Sequence, residues 1–209
     1  MARKIFVYIF QPFTYFVLLI AIIELTAPTK IQTTVIQRAA HGDADAQTWL
    51  YQQYSKAMFN ICVRMTGNIP HAEDILQDAF IIAFNNLKSL QQTEAFGGWL
   101  KQIVVNACIK HSKKTFNWKD WDEAQHETVA DEPTDWWTTI SLSIVHAEIK
   151  KLPDGCRQIF VLYAMEDNSH KAIAEQLGIS EGTSKSQYHR AKKLLRERIS
   201  TQIVEHGRV

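Results

Sequence analysis

The run SHKAIAEQLGISEGTSKSQYHRAKK, Ser169 to Lys193, leaves a chain of this kind few choices of fold. Ile173, Ala174 and Leu177 recur at helical spacing until Gly178 interrupts them. Ser180 then restarts a helix with Glu181 in its first turn, where the positive end of the helix dipole favours an acid. Tyr188, Ala191 and Leu195 carry an apolar stripe along that second helix, at i, i+3 and i+7. Two short helices joined by a glycine-containing turn form a helix-turn-helix. The small Ala174, four residues before the glycine, allows a close crossing.

Charge suggests the second helix's task. Between Ser180 and Arg198 six basic residues stand against two acidic ones. With 3.6 residues per turn, Gly182, Ser186, His189, Arg190 and Lys193 lie opposite Tyr188 and Leu195, with Lys185 on the flank. Small, polar and basic groups facing outward suit a helix whose N-terminal half enters a DNA major groove. The plainer alternative is the solvated face of an αα-hairpin.

The 209 residues suffice for one or two domains with a core in each. A net charge of +1 argues against a nucleic-acid partner only until it is divided. Residues 115–137 hold seven acidic residues and one basic. Residues 31–114 hold eight basic against six acidic, and residues 138–209 eleven against eight. An acidic segment thus separates two mildly basic ones. Cys62, Cys108 and Cys156 stand singly and are odd in number, which argues against a disulfide framework and for a reducing compartment. No two of the eight histidines fall three or four apart, so no metal-binding helical pair is expected. No P-loop, G-x-S-x-G or H-E-x-x-H occurs. The chain does not read as an enzyme, and no metal, cofactor or small-molecule substrate is expected.

Residues 1–30 form an apolar extension of a different character. Ile5 to Ile23 carries no charge, with an unbroken apolar run from Tyr15 to Ile23, which is nearly long enough to span a bilayer. Basic residues flank it on both sides, so the positive-inside rule selects no orientation, and no clean small-x-small cleavage site follows it. The preferred expectation is a start codon assigned too early, because the helical pattern reads as complete from about Thr33. The alternative is an anchor through residues 5–23 that holds the rest in the cytoplasm.

From Thr33 the pattern is helical throughout. Val35 and Ile36 belong to a short helix ending at Gly42, and Asp43 caps the next, with Ala46, Trp49, Leu50, Tyr54, Met58, Ile61, Cys62 and Met65 inward until Gly67. Pro70 opens a third helix, with Ile75, Leu76, Ala79, Ile82 and Ala83 as its apolar side. Asp74, Gln77 and Asp78 share another side, which spacing alone reads as an ordinary wet face. After a polar loop, Phe96, Trp99, Leu100, Ile103, Val104 and Ala107 mark a fourth helix running into Lys110, His111, Lys113 and Lys114. Aromatic and basic residues side by side suit single-stranded nucleic acid, where rings stack on bases and cations meet phosphates. Equally, Phe96 and Trp99 are candidate core anchors.

The order HGDADAQTWLYQQY, AEDILQDAF, FGGWLKQIVVNACI, an acidic linker, then LPDGCRQIFVLYAMEDNSHKAIAEQLGISEGTSKSQYHRAKKLL resembles the extracytoplasmic-function sigma factors of bacterial RNA polymerase over about Thr33 to Ile199. The resemblance implies an all-α fold. Sigma domain two (residues 31–114) is joined to a helix-turn-helix sigma domain four (residues 138–205) by the acidic, tryptophan-rich linker 115–137. It implies core RNA polymerase and promoter DNA as partners, double-stranded at the −35 element and single-stranded at the −10 element, together with an anti-sigma factor. It assigns Asp74, Gln77 and Asp78 to polymerase. Phe96, Trp99, Lys101 and Asn106 fall to capture of a flipped base and strand opening, with Lys110, Lys113 and Lys114 on phosphates. Lys185, Ser186, His189 and Arg190 fall to −35 base edges or nearby phosphates, and Lys192 and Lys193 to the backbone. The tether lets two weak grips act together.

The chain also departs from that family. Ser184 stands where helix-turn-helix proteins usually place Val or Ile, which is expected to loosen packing beneath the reading helix. Gln187 and His189 fall where many members carry other side chains, and His71 where relatives often place an acid. The linker, with Trp118, Trp121, Trp136 and Trp137, is expected to be mostly extended and to mimic RNA in a basic channel. The alternative is that Trp136 and Trp137 pack on domain four. A polymerase-independent helix-turn-helix regulator and a membrane-tethered signalling protein are the competing functional readings.

Overall fold

The computed structural model describes residues 30–115 and 142–206. The apolar run 5–23 and linker residues 116–137 lie outside the described residues. Among those described every regular element is helical: α1 (Lys30–Ala40), α2 (Ala44–Thr66), α3 (Ile69–Asn86), α4 (Phe96–Thr115), α5 (Leu142–Lys150), α6 (Asp154–Phe160), α7 (His170–Leu177) and α8 (Glu181–His206). Two 3-10 turns, Leu87–Ser89 and Thr93–Ala95, lead into α4, and a π-turn, Val161–Met165, follows α6. No helix among the described residues is long and apolar enough to cross a membrane.

The stops and starts have local causes. The Asp43 carboxylate accepts from the Ala46 N–H at 3.0 Å and pairs with Arg38 at 2.7 Å, and these bonds hold its carboxyl below the usual range. Gly67, at φ +68°, ends α2 in a left-handed conformation that a side chain would strain. Asn68 caps α3 by accepting from the His71 N–H at 3.0 Å, so that helix starts one residue before Pro70.

The chain divides into two compact units. One comprises the residues up to Ile61 with Glu73–Ala107, the other Cys62–Ala72 with the residues from Cys108 onward. In the first, Leu50, Tyr54, Met58, Ala79, Phe80, Ala83, Leu87, Phe96, Leu100 and Val104 are buried. The expectation for α3 is corrected at one position. Ile82 is 45 % exposed, and Phe80 is buried in its stead. The buried side of α3 runs through Ala72, Ile75, Leu76, Ala79, Phe80, Ala83 and Leu87, and Ile82, beside Ile75 at its edge, is left uncovered.

In the second unit α6, α7 and α8 enclose Cys156, Ile159, Leu162, Ile173, Leu177, Tyr188, Ala191 and Leu195. All three cysteines are free and buried. Arg157, only 5 % exposed, uses its guanidinium as a bracket. It donates to the Leu152 carbonyl at 2.9 Å, to Lys150 at 3.4 Å, to Thr66 at 2.6 Å and to Met65 at 3.4 Å, and it pairs with Asp154. A five-donor planar cation suits such a ring of carbonyl ends.

Candidate nucleic-acid interface

The helix-turn-helix forms where its spacing predicts. Ser169 caps α7 by accepting from the Ala172 N–H at 3.2 Å, and Gly178 closes that helix in the left-handed region at φ +74°. Ser180 caps α8 by accepting from the Thr183 N–H at 2.9 Å. With Tyr188, Ala191 and Leu195 buried, Ser186, His189, Arg190 and Lys193 face outward, Arg190 at the edge of the buried stripe. Lys185 is exposed and pairs with Glu181 one turn back at 2.7 Å; that hydrogen bond and charge lower the Glu181 carboxyl's pKa. Lys192 turns away from this face, its ammonium 5.4 Å from the centre of the Tyr188 ring.

Beneath the reading face the structure shows what periodicity does not. Thr183, Ser184 and Gln187 are all buried; Thr183 bonds within its own helix start, and the other two each reach a different helix. Thr183 and Ser180 share a hydroxyl contact of 2.9 Å. Ser184 lies 2.9 Å from Nδ1 of His170 on α7. Gln187 accepts from the Cys156 thiol on α6 at 3.0 Å, and burial raises that thiol to about 11. The expected looseness at Ser184 is therefore corrected: the residue is wholly buried and its hydroxyl has a partner. Gln187, turned inward, is not available to a base.

On α4 the candidate residues sort into one stripe and two exceptions. Trp99 is half-buried, and Asn106, Lys110, Lys113 and Lys114 follow it at helical spacing, all four exposed. Gln102, which periodicity alone does not single out, joins them, its side-chain amide donating to Oδ1 of the Asn106 side chain at 3.1 Å. Lys101 sits roughly half a turn away from Trp99 and does not share this stripe. Phe96 is 0 % exposed, packed edge-on against Tyr54 with ring centres 5.0 Å apart. A ring with no free face cannot stack on a base, so Phe96 is corrected from base contact to core anchor. Its centre lies 6.1 Å from that of Trp99, whose position it braces.

On α3, Asp74, Gln77 and Asp78 are exposed together. Ile81, 58 % exposed, stands seven residues after Asp74 and three after Asp78, inside the same patch. Ile82 borders it. Periodicity places Ile82 in the core and does not single out Ile81; an isoleucine three residues beyond a paired-acid face is the signal for it. No group of three or more metal-ligating side chains occurs among the described residues.

Comparison with known proteins adds two family matches, Sigma-70 region 2 over residues 50–115 and Sigma-70 region 4 over residues 142–195. The chain is 34 % identical to the ECF RNA polymerase sigma factor SigW of Bacillus subtilis, over 78 % of this chain and 94 % of that protein. It is 30 % identical to the ECF RNA polymerase sigma factor SigM of Mycobacterium tuberculosis, over 75 % and 80 % respectively. A solved structure of the sigma factor RpoE with the anti-sigma factor NepR from Bartonella quintana matches at 22 % identity and TM-score 0.45, covering 73 % of this chain and 96 % of that one.

Proposed function

The chain belongs to the extracytoplasmic-function sigma factors, which direct core RNA polymerase to promoters, and we propose that it does so through the three surfaces just described. The −35 element is read by α8, with Ser186, His189, Arg190 and Lys193 toward the groove and Lys185 beside them. The separated −10 strand follows the α4 stripe, its bases toward Trp99, Gln102 and Asn106 and its phosphates toward Lys110, Lys113 and Lys114. Core polymerase docks on Asp74, Gln77 and Asp78 of α3, with Ile81 and Ile82 supplying apolar contact within the acidic patch. One observation carries this reading most strongly: the polar and basic residues of α8 assigned to DNA are exposed or half-exposed, while the apolar ones hold the helix to α6 and α7. We assign the chain to the cytoplasm with the polymerase, which suits three unpaired cysteines. Family membership implies an anti-sigma partner as well.

The deciding experiment adds the purified chain to core polymerase and measures initiation over a promoter library. Promoter-specific starts are expected; initiation no better than with core alone would reject the reading. In the same assay Arg190→Ala costs about 1–3 kcal/mol on the cognate promoter and much less on one with an altered −35 element. A uniform loss across promoters would make Arg190 a phosphate contact only. Asp74→Arg lowers the affinity for core polymerase by about 10–100-fold through reversed charge at the docking face, and leaves −35 binding by the helix-turn-helix intact. Co-purification and duplex binding check the two halves of that prediction.

A further inference from the structure

Two departures from an apolar helix-turn-helix core meet each other. His170, the first residue of α7, and Ser184, in the first turn of α8, are fourteen residues apart in sequence, yet Nδ1 and the hydroxyl oxygen lie 2.9 Å apart. Ser184 is 0 % exposed. The imidazole is stacked on Tyr163 with centres 4.1 Å apart and meets the Tyr188 ring edge-on at 5.6 Å. Ring and hydroxyl are thus held from three elements: the π-turn before α7, α7 itself and α8. Burial, then Lys185 and His189, lower the ring's pKa to about 4 against the opposing pull of Glu181, so it is neutral at neutral pH. A neutral imidazole has one donor and one acceptor nitrogen, and a hydroxyl can meet either.

We propose that His170 is a positioning residue for promoter recognition, acting through Ser184 to set the register of α8 against α7 and so the reach of Ser186, His189 and Arg190 into the −35 element. The inference rests on α8 being the −35 reader. Its physical basis is the directionality of the bond. Apolar contacts between two helices tolerate small slides, whereas a buried hydrogen bond tolerates a few tenths of an ångström before the hydroxyl loses its partner. Ser184 lies one residue before Lys185 and two before Ser186, so a slide or rotation there moves both by nearly the same amount. The stacked Tyr163 limits how far the imidazole can follow.

The test uses the full chain assembled with core polymerase and reads the ratio of initiation on the cognate promoter to that on a promoter altered only at −35. His170→Phe keeps a stacked ring and removes the bond; the ratio is expected to fall about fivefold, the low end of what one good base contact contributes. His170→Asn keeps a hydrogen-bonding atom near the place of Nδ1 and is expected to hold the ratio within about twofold of the parent. The double variant His170→Phe, Ser184→Val replaces both polar partners with apolar ones and is expected to recover most of the loss. Melting temperatures of the same variants separate positioning from stability. A ratio unchanged in His170→Phe, or one that tracks melting temperature alone in all three variants, overturns the proposal. The triple variant Ser186→Ala, His189→Ala, Arg190→Ala is the control for the premise: if it leaves the ratio unchanged, α8 is not the reader. If it lowers the ratio while His170→Phe does not, only the positioning role fails.

Discussion

Replacing Phe96 with Ala lowers the stability of the unit that contains it by about 3–5 kcal/mol, the usual cost of emptying a fully buried aromatic site. The ring is wholly enclosed, edge-on to Tyr54, which itself bonds to Gln32 of α1. The substitution therefore removes the piece that ties the start of α4 to α1 and α2. Urea unfolding followed by far-UV circular dichroism reads it, a probe that does not depend on the Trp99 indole beside the site. Strand opening is expected to weaken as well, because Trp99 loses its brace. Trp99→Ala separates the two effects: it should impair opening with a much smaller change in unfolding. Unaltered unfolding in Phe96→Ala, with opening abolished, would return Phe96 to the base-contacting set.

The second large effect is expected at Arg157. Arg157→Met keeps the aliphatic stem and removes every donor, leaving the Leu152 and Thr66 carbonyls without the guanidinium. Each acceptor left unmet costs about 1–3 kcal/mol, so a total of about 2–6 kcal/mol is expected in thermal or urea unfolding. Arg157→Lys should recover only part of this, because one ammonium cannot reach carbonyls that a planar fork spans. A loss below about 1 kcal/mol would show that water replaces the guanidinium without strain.

Sequence pattern conveys the helix order, most helix ends and the inward faces, because those follow from period, capping residues and left-handed glycines. Gly42, Gly67 and Gly178 all adopt positive φ, and Asp43, Ser169 and Ser180 all cap. The failures have two causes. Period places a residue on a side of its helix but does not say how wide the buried stripe is or where it is centred. Ile82 and Ile75 are each about a quarter-turn from the centre of the α3 stripe, and only the neighbouring elements decide that Ile75 is covered and Ile82 is not. Phe96 and Trp99 are three apart, and again one is enclosed and the other is half free. Long-range polar pairing leaves no local trace at all. Nothing near Ser184 announces His170, nothing near Gln187 announces Cys156, and both residues looked like irregularities until their partners were in place.

The ion pair between Lys185 and Glu181 has a consequence for how binding responds to ionic strength. A bare cation reaching a phosphate displaces the counterions condensed there, and the number displaced sets how steeply affinity falls as salt rises. Lys185 already has a carboxylate 2.7 Å away, and Lys192 leans over an aromatic ring. The ions released at the −35 site therefore number fewer than the basic residues of α8. Recognition there is correspondingly less sensitive to the salt content of the cell than the charge of the helix alone implies.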